Sequence, residues 1–318
     1  MVRYKAKLYI MKFITYSILL CYLVFGCKPT STKNSTNNES IDGFPKELVS
    51  FKSYEKNPVF KATGTDTWEH FIRERGYILL EDSTYYLWYT GYREENGQHQ
   101  LGLATSTDGI QWTRFEGNPI HDSTWVEDMC VVKSNGIYYM FAEGNPDVAH
   151  MLTSTDRIHW QEHGPLDIRY TNGKPLTKGP FGTPAVWLEN DVWYLFYERD
   201  DLGIWLATSK DLKVWTNKQD ECVLKMGPEY YDKYAVAFDQ IIKYKGSYYA
   251  YYHATEYKDW HDWTSCIAKS DDLIHWKKYN KNPILRENKS SPLLIKNGEE
   301  YWLFSMHPEV CVHFPIIK

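Results

Sequence analysis

A short signature that recurs four times is the feature that most limits how this chain can fold. In each copy a serine is followed two residues later by an aspartate and, four residues after that, by a tryptophan. We expect the serine to end a strand, the aspartate to begin a tight turn and the tryptophan to begin the next strand and pack on its neighbour. The copies lie at residues 106–112, 154–160, 209–215 and 270–276, and their tryptophans, 48, 55 and 61 residues apart, predict repeated β units.

An aromatic segment precedes each copy of the signature. These segments occupy residues 84–89, 137–141, 192–197 and 247–252, and a fifth lies at 300–304 without a signature after it. The whole chain has 26 Tyr, 13 Trp and 13 Phe. These residue types favour strands and also offer flat faces on which sugars stack. A polar turn followed by such a run predicts a second strand in each of five units.

An Asn-Pro mark follows the signature in two units and also occurs once near the start of the domain. It is found at 118–120, at 282–284 and, with no unit before it, at 57–59. Five units of about four strands predict an all-β, five-bladed β-propeller, with the early 57–59 strand completing the last blade and closing the ring. No stretch has helical periodicity. The alternative is a β-sandwich or an open β array.

The N-terminal residues predict export and lipidation. A basic start with no acid is followed by an apolar run from 13 to 26, about half of the ~20 residues that a membrane-spanning helix needs. Gly26 and Cys27 end that run as in a bacterial lipobox, whereas an ordinary cleaved signal is the alternative. We therefore predict a signal peptide at 1–26, lipidation at Cys27, a polar tether at 27–44 and the propeller at 45–318. The predicted location is the cell envelope, on the outer membrane, with the leaflet left open.

Charge and cysteine content exclude other classes. The formal net charge of −5 argues against nucleic-acid binding, and the apolar and aromatic content argues against disorder. Without a Cys-x-x-Cys pair, a zinc ribbon and a thioredoxin-type motif are excluded. Four cysteines remain after Cys27, either as buried free thiols or in one of three pairings: Cys130, Cys222, Cys266 and Cys311.

Acidic residues cluster where the funnel of the propeller is expected. The first strand of each blade lines the axis, and its start faces the site where ligands bind. Glycoside hydrolysis needs two carboxyls about 6.5–9.5 Å apart for inversion or about 5–5.5 Å apart for retention, and acids on different blades can supply either distance. The candidate catalytic residues are Glu74, Glu127, Asp128, Glu198, Asp239 and His307, and the candidate substrate-binding residues are Arg73, Arg75, Trp125 and His253.

The layout resembles a known group of enzymes. The five-bladed pattern and the Ser-x-Asp-x-x-x-Trp hairpins are similar, over about residues 45–318, to glycoside hydrolase family 43 and its relatives such as family 117. Residues 125–128, Trp-Val-Glu-Asp, resemble the Trp-Ala-Pro-Asp entry to blade two of that group. The resemblance implies a base on blade one, a helper acid on blade three and an acid on blade four. The matching residues are Glu74, Thr183 and Asp239, so the helper acid is missing. The pair preferred for base and acid is Glu74 and Asp239, in an inverting reaction.

Each acidic candidate has a structural alternative. Glu74 lies between two arginines and can be an ion-paired structural acid. Glu127 and Asp128 are adjacent, so at most one faces the axis. Asp239 follows an apolar run at 235–238, where an unpaired acid is costly, which indicates a function or a firm partner. Glu198 faces the pocket or pairs with the arginine that follows it.

The basic candidates are equally open at this point. The resemblance to family 117, which uses a histidine as acid, makes His307 a candidate, and His253 has the same standing; the alternative for both is a surface histidine. Arg73 and Arg75 could bind an acidic or sulfated sugar through their guanidinium forks, and the alternative is pairing with nearby acids.

Three functions fit these observations. The first is a glycoside hydrolase for a plant or algal polysaccharide or its oligosaccharides, and the second is a non-catalytic glycan-binding propeller that has lost its triad. The third is a lyase or a glycan phosphorylase, which would need a basic phosphate pocket. Acids on three or four blades favour the hydrolase. We predict a monomer with a carbohydrate substrate, membrane contact through the lipid only, no nucleic acid, and no metal or cofactor, with a supporting calcium ion as the alternative.

Overall fold

Five antiparallel sheets follow one another along the chain in the order that the repeats predict. The computed structural model describes residues 40–64, 66–73, 75–94, 97–176, 180–200 and 202–316. In each sheet the first three strands are hydrogen-bonded in chain order, and the first strands of successive sheets contact one another in a closed ring. The predicted five-bladed, all-β propeller is confirmed.

Each blade has four strands, counted from the axis outward. The first strands are Tyr77–Glu81, Glu127–Ser134, Ala185–Glu189, Ala235–Tyr244 and Ser290–Asn297. The second strands are Thr84–Gly91, Ile137–Gly144, Val192–Glu198, Ser247–Thr255 and Glu300–His307. The third strands are Gln100–Ser106, Val148–Ser154, Gly203–Ser209, Thr264–Ser270 and Cys311–Pro315. The fourth strands are Thr113–Arg114, Gln161–Pro165, Val214–Asn217, Lys277–Lys278 and Phe51–Ser53.

A few short elements complete the described part of the chain. Asp167–Arg169 pairs in parallel with the fourth strand of blade three, and Leu224–Lys225 pairs with its third strand. Ser40–Ile41 pairs with Phe44–Pro45. The helical elements in the described ranges are two 3₁₀ turns, Lys46–Leu48 and Tyr230–Asp232.

The ring closes through the N-terminal segment of the domain. Phe51–Ser53 pairs with Cys311–Pro315 and supplies the outer strand of blade five. The predicted closing segment lies along the same edge, because the Val59 N–H donates to the Val310 carbonyl at 2.8 Å. Closure by residues from the start of the domain is confirmed, although the paired strand itself begins before the Asn-Pro mark.

The Asn-Pro mark has a structural role that explains its recurrence. The Asn57 side chain accepts from the Val312 N–H at 2.9 Å and donates to the Val312 carbonyl at 2.8 Å. Asn118 makes the same two bonds to Leu103, and Asn282 makes them to Ile267. The amide therefore replaces one pair of ladder hydrogen bonds where the outer edge of the third strand would otherwise be unpaired.

The recurrent turn is fixed by its serine and aspartate. Ser106 Oγ accepts from the Gly109 N–H at 2.9 Å. Asp108 Oδ1 accepts from the N–H groups of Ile110 and Gln111 at 2.9 and 2.7 Å. The other three copies make equivalent bonds. These local bonds satisfy the turn backbone, so the signature specifies the same hairpin in each blade.

Three of the four repeated tryptophans pack against an aromatic ring of the preceding blade. Trp215 is fully buried, and its ring packs edge-to-face on Phe141 of the preceding blade, with 5.8 Å between ring centroids. Trp160 packs in the same way on Trp88 at 5.9 Å. Trp276 makes the corresponding contact with the preceding blade, and Trp112 packs on Tyr85 of its own blade.

The predictions about the N-terminal region and the cysteines fall only partly within the described residues. The signal peptide, Cys27 and most of the tether lie outside them. Phe44, at the end of the predicted tether, is buried against Tyr249 and Tyr279. Cys130, Cys222, Cys266 and Cys311 are free thiols. Within the described ranges, no helix has the length and apolar character needed to cross a membrane.

Candidate active site

All five blades contribute to one cavity of about 280 Å³ at the centre of the ring. Its volume is close to the lower end of the range for small-molecule sites. The wall from blades two and three is acidic, whereas the wall from blades four and five carries histidine, serine and tryptophan. The lining residues that matter below are Asp128, Glu143, Asp147, Thr183, Glu198, Asp200, His253, Trp260, Trp263, Ser290, Ser291 and His307.

The polar residues of the cavity occupy equivalent positions in the repeats. In each blade the residue five positions after the first aromatic residue of the second strand reaches the end of that strand. These residues are Thr90, Glu143, Glu198, His253 and Met306. Three of them line the cavity, which puts two carboxyls and one imidazole at matching ends of blades two, three and four.

Two consecutive residues of blade three hold both carboxyls. Thr183 donates to Glu143 Oε2 from its N–H at 2.6 Å and from its hydroxyl at 3.0 Å. The N–H of Gly182 donates to Glu198 Oε1 at 3.2 Å. A Cβ on Gly182 would lie 2.0 Å from Glu143 Oε2, so this approach requires glycine. Adjacent N–H groups thus fix Glu143 and Glu198 as neighbours.

Glu143 is the carboxyl most perturbed by this crowding. Its removal from water, followed by the negative charges of Asp128 and Glu198, raises the pKa of Glu143 well above the usual carboxyl range. Because Oε2 already accepts two hydrogen bonds from Thr183, the proton belongs on Oε1. The surroundings of Glu143 therefore favour its neutral, protonated form.

Asp128 faces the cavity, whereas its neighbour Glu127 faces away from it. Asp128 Oδ1 accepts from the Arg75 N–H at 3.0 Å, and Asp128 borders the cavity. Glu127 accepts from the indole N–H of Trp125 at 2.6 Å and lies 3.2 Å from His99 Nε2. Trp125 itself stacks on His99 at 3.8 Å. The structure therefore brings Asp128, and neither Glu127 nor Trp125, to the cavity wall.

Arg75 is a buried junction between blades. Its guanidinium donates to the carbonyls of Phe238 and Pro184, each at 2.8 Å, and also to the carbonyl of Asp128. It lies 3.3 Å from Asp239 Oδ1, and both side chains are fully buried. Arg75 is thus committed to the protein interior although it borders the cavity.

Asp239 lies beneath the cavity wall. It falls at a bulge in the first strand of blade four and is not among the cavity-lining residues. Oδ1 accepts from His253 Nδ1 at 2.8 Å. Burial favours the neutral His253 ring, but the charge of Asp239 and its hydrogen bond outweigh burial, so the pKa of His253 is raised. The sequence left two alternatives for Asp239, a function or a firm partner, and the structure shows firm partners in Arg75 and His253. The catalytic role of Asp239 stays a prediction.

His307 completes the blade-five side of the cavity. Its Nδ1 donates to the Arg73 carbonyl. Burial, only partly offset by that hydrogen bond, lowers the pKa of His307 to about 4. The ring is therefore neutral at physiological pH, with Nδ1 protonated and Nε2 as the basic nitrogen.

Two other predicted residues lie away from the cavity or beyond the described chain. Arg73 Nε donates to the Tyr92 hydroxyl at 2.8 Å, and Arg73 is not among the lining residues. Glu74 lies outside the described residues, so its predicted role as base stays a prediction. In the described part of the chain, no group of three or more His, Cys, Asp or Glu side chains is arranged to hold a metal ion. The calcium alternative also stays a prediction.

Sequence reasoning missed Glu143, Asp147 and Asp200. A signal for Glu143 was present, because it stands at the same repeat position as Glu198 and His253, which were both considered. Asp147 and Asp200 lie in loops just after the second strands of blades two and three, where no repeat pattern marks them.

Comparison with known proteins gives relatives that act on mannosides. No protein-family model matches the chain. A 1,2-β-oligomannan phosphorylase from Thermoanaerobacter sp. (strain X514) is 24% identical over 257 residues, which are 75% of this chain and 83% of that protein. This likeness extends over most of the propeller.

Two solved structures share the fold. One is β-1,2-mannobiose phosphorylase from Listeria innocua in complex with β-1,2-mannobiose, with a TM-score of 0.64, 15% identity, and coverage of 83% of this chain and 95% of that one. The other is a structure described for the family 130 mannoside phosphorylases. That family contains glycoside hydrolases that target β-1,2 mannosidic linkages in Candida mannan. The TM-score of this structure is 0.65, with 16% identity, and it covers 83% of this chain and 93% of that one. The chain thus has the five-bladed fold of glycoside-processing proteins. One of these relatives is named for family 130, and none of the three is named for family 43 or 117.

Proposed function

We propose that this protein is a glycoside hydrolase in which Glu143 donates the proton and Asp128 is the base. The observation that carries the proposal is a cavity wall lined by Glu143, Glu198 and Asp128. Gly182 and Thr183 hold the two glutamates there, and the pKa of Glu143 is raised well above the usual carboxyl range. A glycosidase needs one protonated and one ionised carboxyl at the same pH, and environments that separate their pKa values supply that pair.

The proposed reaction uses each carboxyl for one proton. Glu143 Oε1 gives its proton to the glycosidic oxygen as the bond from that oxygen to the anomeric carbon breaks. A water molecule adds to the anomeric carbon and loses its proton to Asp128, whose Oδ1 is held by the Arg75 N–H. The charge of Glu198 is one of the causes that raise the pKa of Glu143, after burial and the charge of Asp128. This scheme gives inversion, as predicted from the sequence, and NMR of the first-formed anomer tests it.

The charge of the cavity supports hydrolysis over phosphorolysis. Five carboxyls line it, namely Asp128, Glu143, Asp147, Glu198 and Asp200. Arg75 is turned to backbone carbonyls and Asp239, and Arg73 lies off the cavity wall. A phosphate dianion would meet mostly carboxylates, which repel it. Phosphorolysis is nevertheless the second candidate, because the 24% identical relative is a phosphorylase and because His253, whose pKa is raised, lines the cavity.

β-1,2-linked mannosides are the first substrates that we propose, since the relatives are named for them. Plant and algal polysaccharides, expected from the sequence, complete the panel. Purified protein is incubated with each glycan with and without inorganic phosphate, and the products are separated. Free sugar formed equally in both conditions is expected. Sugar 1-phosphate formed only with phosphate would overturn hydrolysis in favour of the second candidate. Specific binding without any product would identify the non-catalytic glycan binder.

The roles of the two carboxyls are tested with leaving groups. Glu143→Gln should lose activity by several powers of ten on natural glycans but retain much more on dinitrophenyl glycosides, which need no proton donor. Asp128→Asn should lose activity on both, and azide should restore turnover. Glu116→Gln, which changes an exposed glutamate of blade one, is the matched control. The reverse pattern for Glu143 and Asp128 would refute the assignment while leaving hydrolysis intact.

The pair predicted from sequence is tested in the same assay. Glu74→Gln and Asp239→Asn are near-isosteric changes. If both retain more than about a tenth of wild-type kcat, a loss of under about 1.4 kcal/mol, a family 43-like pair is refuted. Because Asp239 holds His253, we expect Asp239→Asn to act on the pH profile as well as on kcat.

A further inference from the structure

An exposed tryptophan stands at the mouth of the cavity. Trp260 lines the cavity and is 57% exposed, the largest exposed fraction among the large apolar side chains described. No described residue makes a hydrogen bond or ring contact with its indole. Burying this aromatic ring against a ligand would stabilise the complex. The side chain is therefore available to a ligand.

The loop that carries Trp260 is held by its own contacts. It joins the second and third strands of blade four, Ser247–Thr255 and Thr264–Ser270. The Thr255 hydroxyl donates to the His261 carbonyl at 2.8 Å, and the rings of Tyr257 and His261 stack at 3.9 Å. The Trp263 N–H donates to Asn288 of blade five at 3.0 Å. These contacts connect the loop to blades four and five on either side of Trp260.

The backbone of Trp260 itself supports a functional reading. Its φ of 55° lies in the left-handed region, which is unfavourable for a bulky residue. Such conformations persist where the surroundings impose them and are common at ligand sites. Here the conformation presents an indole to solvent beside a polar cavity, which contributes nothing to the core.

The chemistry around the mouth specifies the ligand. Exposed carboxylates of Asp147 and Asp200 lie in the same cavity wall and can accept hydrogen bonds from sugar hydroxyls. An indole face packs on the C–H face of a pyranose ring, and the same carboxylates repel uronic or sulfated sugars. An aromatic platform with acceptors at its edge suits a neutral sugar ring.

We propose that Trp260 forms an outer subsite that stacks a neutral pyranose ring beyond the sugar bound among the three carboxyls. The proposal rests on the proposed glycosidase function and adds its substrate class, a neutral oligosaccharide that extends out of the cavity along blade four. Of the two arginines that the sequence suggested for acidic sugars, Arg73 is not among the cavity-lining residues, and the guanidinium of Arg75 is turned to backbone carbonyls and Asp239.

Chain-length dependence of the reaction tests the subsite. Wild type, Trp260→Ala and Trp260→Phe are assayed on an aryl monoglycoside and on neutral oligosaccharides of two to five units. Trp260→Ala should lose at least about fivefold in kcat/KM on the longer substrates, mainly through KM, and less than about twofold on the monoglycoside. Trp260→Phe should restore most of the loss. Phe115→Ala, an exposed aromatic outside the cavity, is the matched control. An equal loss on all substrates, or no loss on any, overturns the proposal.

A binding measurement separates this proposal from the hydrolase itself. Wild type and Trp260→Ala are titrated calorimetrically with the same neutral oligosaccharides and with polygalacturonate. Tighter binding of neutral glycans by wild type supports the subsite even if no glycan is hydrolysed. Equal binding by both proteins, a preference for polygalacturonate, or no binding to any glycan of the panel overturns it. Trp260→Ala should melt within about 2 °C of wild type, because an exposed side chain adds little to stability.

Discussion

Removing the buried guanidinium of Arg75 should destabilise the propeller more than most other single changes. This group connects blade one to backbone carbonyls of blades two, three and four and to the buried carboxylate of Asp239. Arg75→Met keeps most of the volume and removes every one of these bonds. Three carbonyls lose a donor and one carboxylate loses its main partner.

The expected cost follows from those losses. Breaking a buried ion pair by removing one partner costs about 3–5 kcal/mol, because the remaining charge is left uncompensated. Each carbonyl without a donor adds about 1 kcal/mol, although such terms are not additive. His253 still donates to Asp239 and limits the loss. We therefore expect Arg75→Met to lower the free energy of unfolding by about 4 kcal/mol.

A double-mutant cycle identifies the ion pair as the cause. Asp239→Asn removes the charge that Arg75 compensates, so the double variant should lose less than the sum of the single losses, by about 1–3 kcal/mol. Urea unfolding at neutral pH, followed by fluorescence, gives all four values. Arg73→Met, at a partly exposed neighbouring arginine, is the control and should cost under about 1 kcal/mol. A loss under about 1 kcal/mol for Arg75→Met, or strict additivity, would refute the reasoning.

Three further predictions concern the site, the blade contacts and the anchor. Since burial and then the charges of Asp128 and Glu198 raise the pKa of Glu143, its ionisation costs the folded state free energy. Glu143→Gln should therefore be more stable than wild type in urea at about pH 8 and equally stable at about pH 4; a constant difference would contradict this. Trp215→Ala should cost about 3–5 kcal/mol by calorimetry, and an unchanged melting temperature would show that Trp215 is not structural. We also propose lipidation at Cys27, so Cys27→Ala should abolish labelling by a palmitate analogue, and labelling equal to wild type would exclude the anchor.

The propeller could be predicted because its repeated features act locally. The serine and aspartate of each turn bond to backbone N–H groups two and three residues away, and the bonds are the same in four blades. The ring closure at Asn57 was also predictable, because the Asn-Pro mark recurs with one structural role. The chemistry of the turns is local and lies in consecutive residues. Asn57 instead bonds to Val312, 255 residues away, and its role could be predicted only because the Asn-Pro mark recurs.

The site could be predicted only in part, because its partners are far apart in sequence. Asp239 attracted attention as an acid in an apolar strand, but its partner Arg75 is 164 residues away. Burial alone could not distinguish a catalytic acid from an acid paired with a distant arginine. The bonds from Thr183 to Glu143, which are 40 residues apart, were hidden for the same reason, since nothing in the sequence indicates that these two residues meet.

The left-handed backbone at the start of the first strands is a property of the blades rather than of the chemistry. Asp128, Thr183 and Ser291 all have left-handed backbones, with φ of 47°, 43° and 54°. In each blade the residue two positions later pairs with a phenylalanine of the second strand, namely Phe141, Phe196 or Phe304. The three left-handed residues are therefore at equivalent positions in blades two, three and five. A conformation repeated in three blades reflects how the first strand begins at the funnel. The side chains at this position are Asp, Thr and Ser, so the fold fixes where a functional group stands and the sequence decides which blade has the acid.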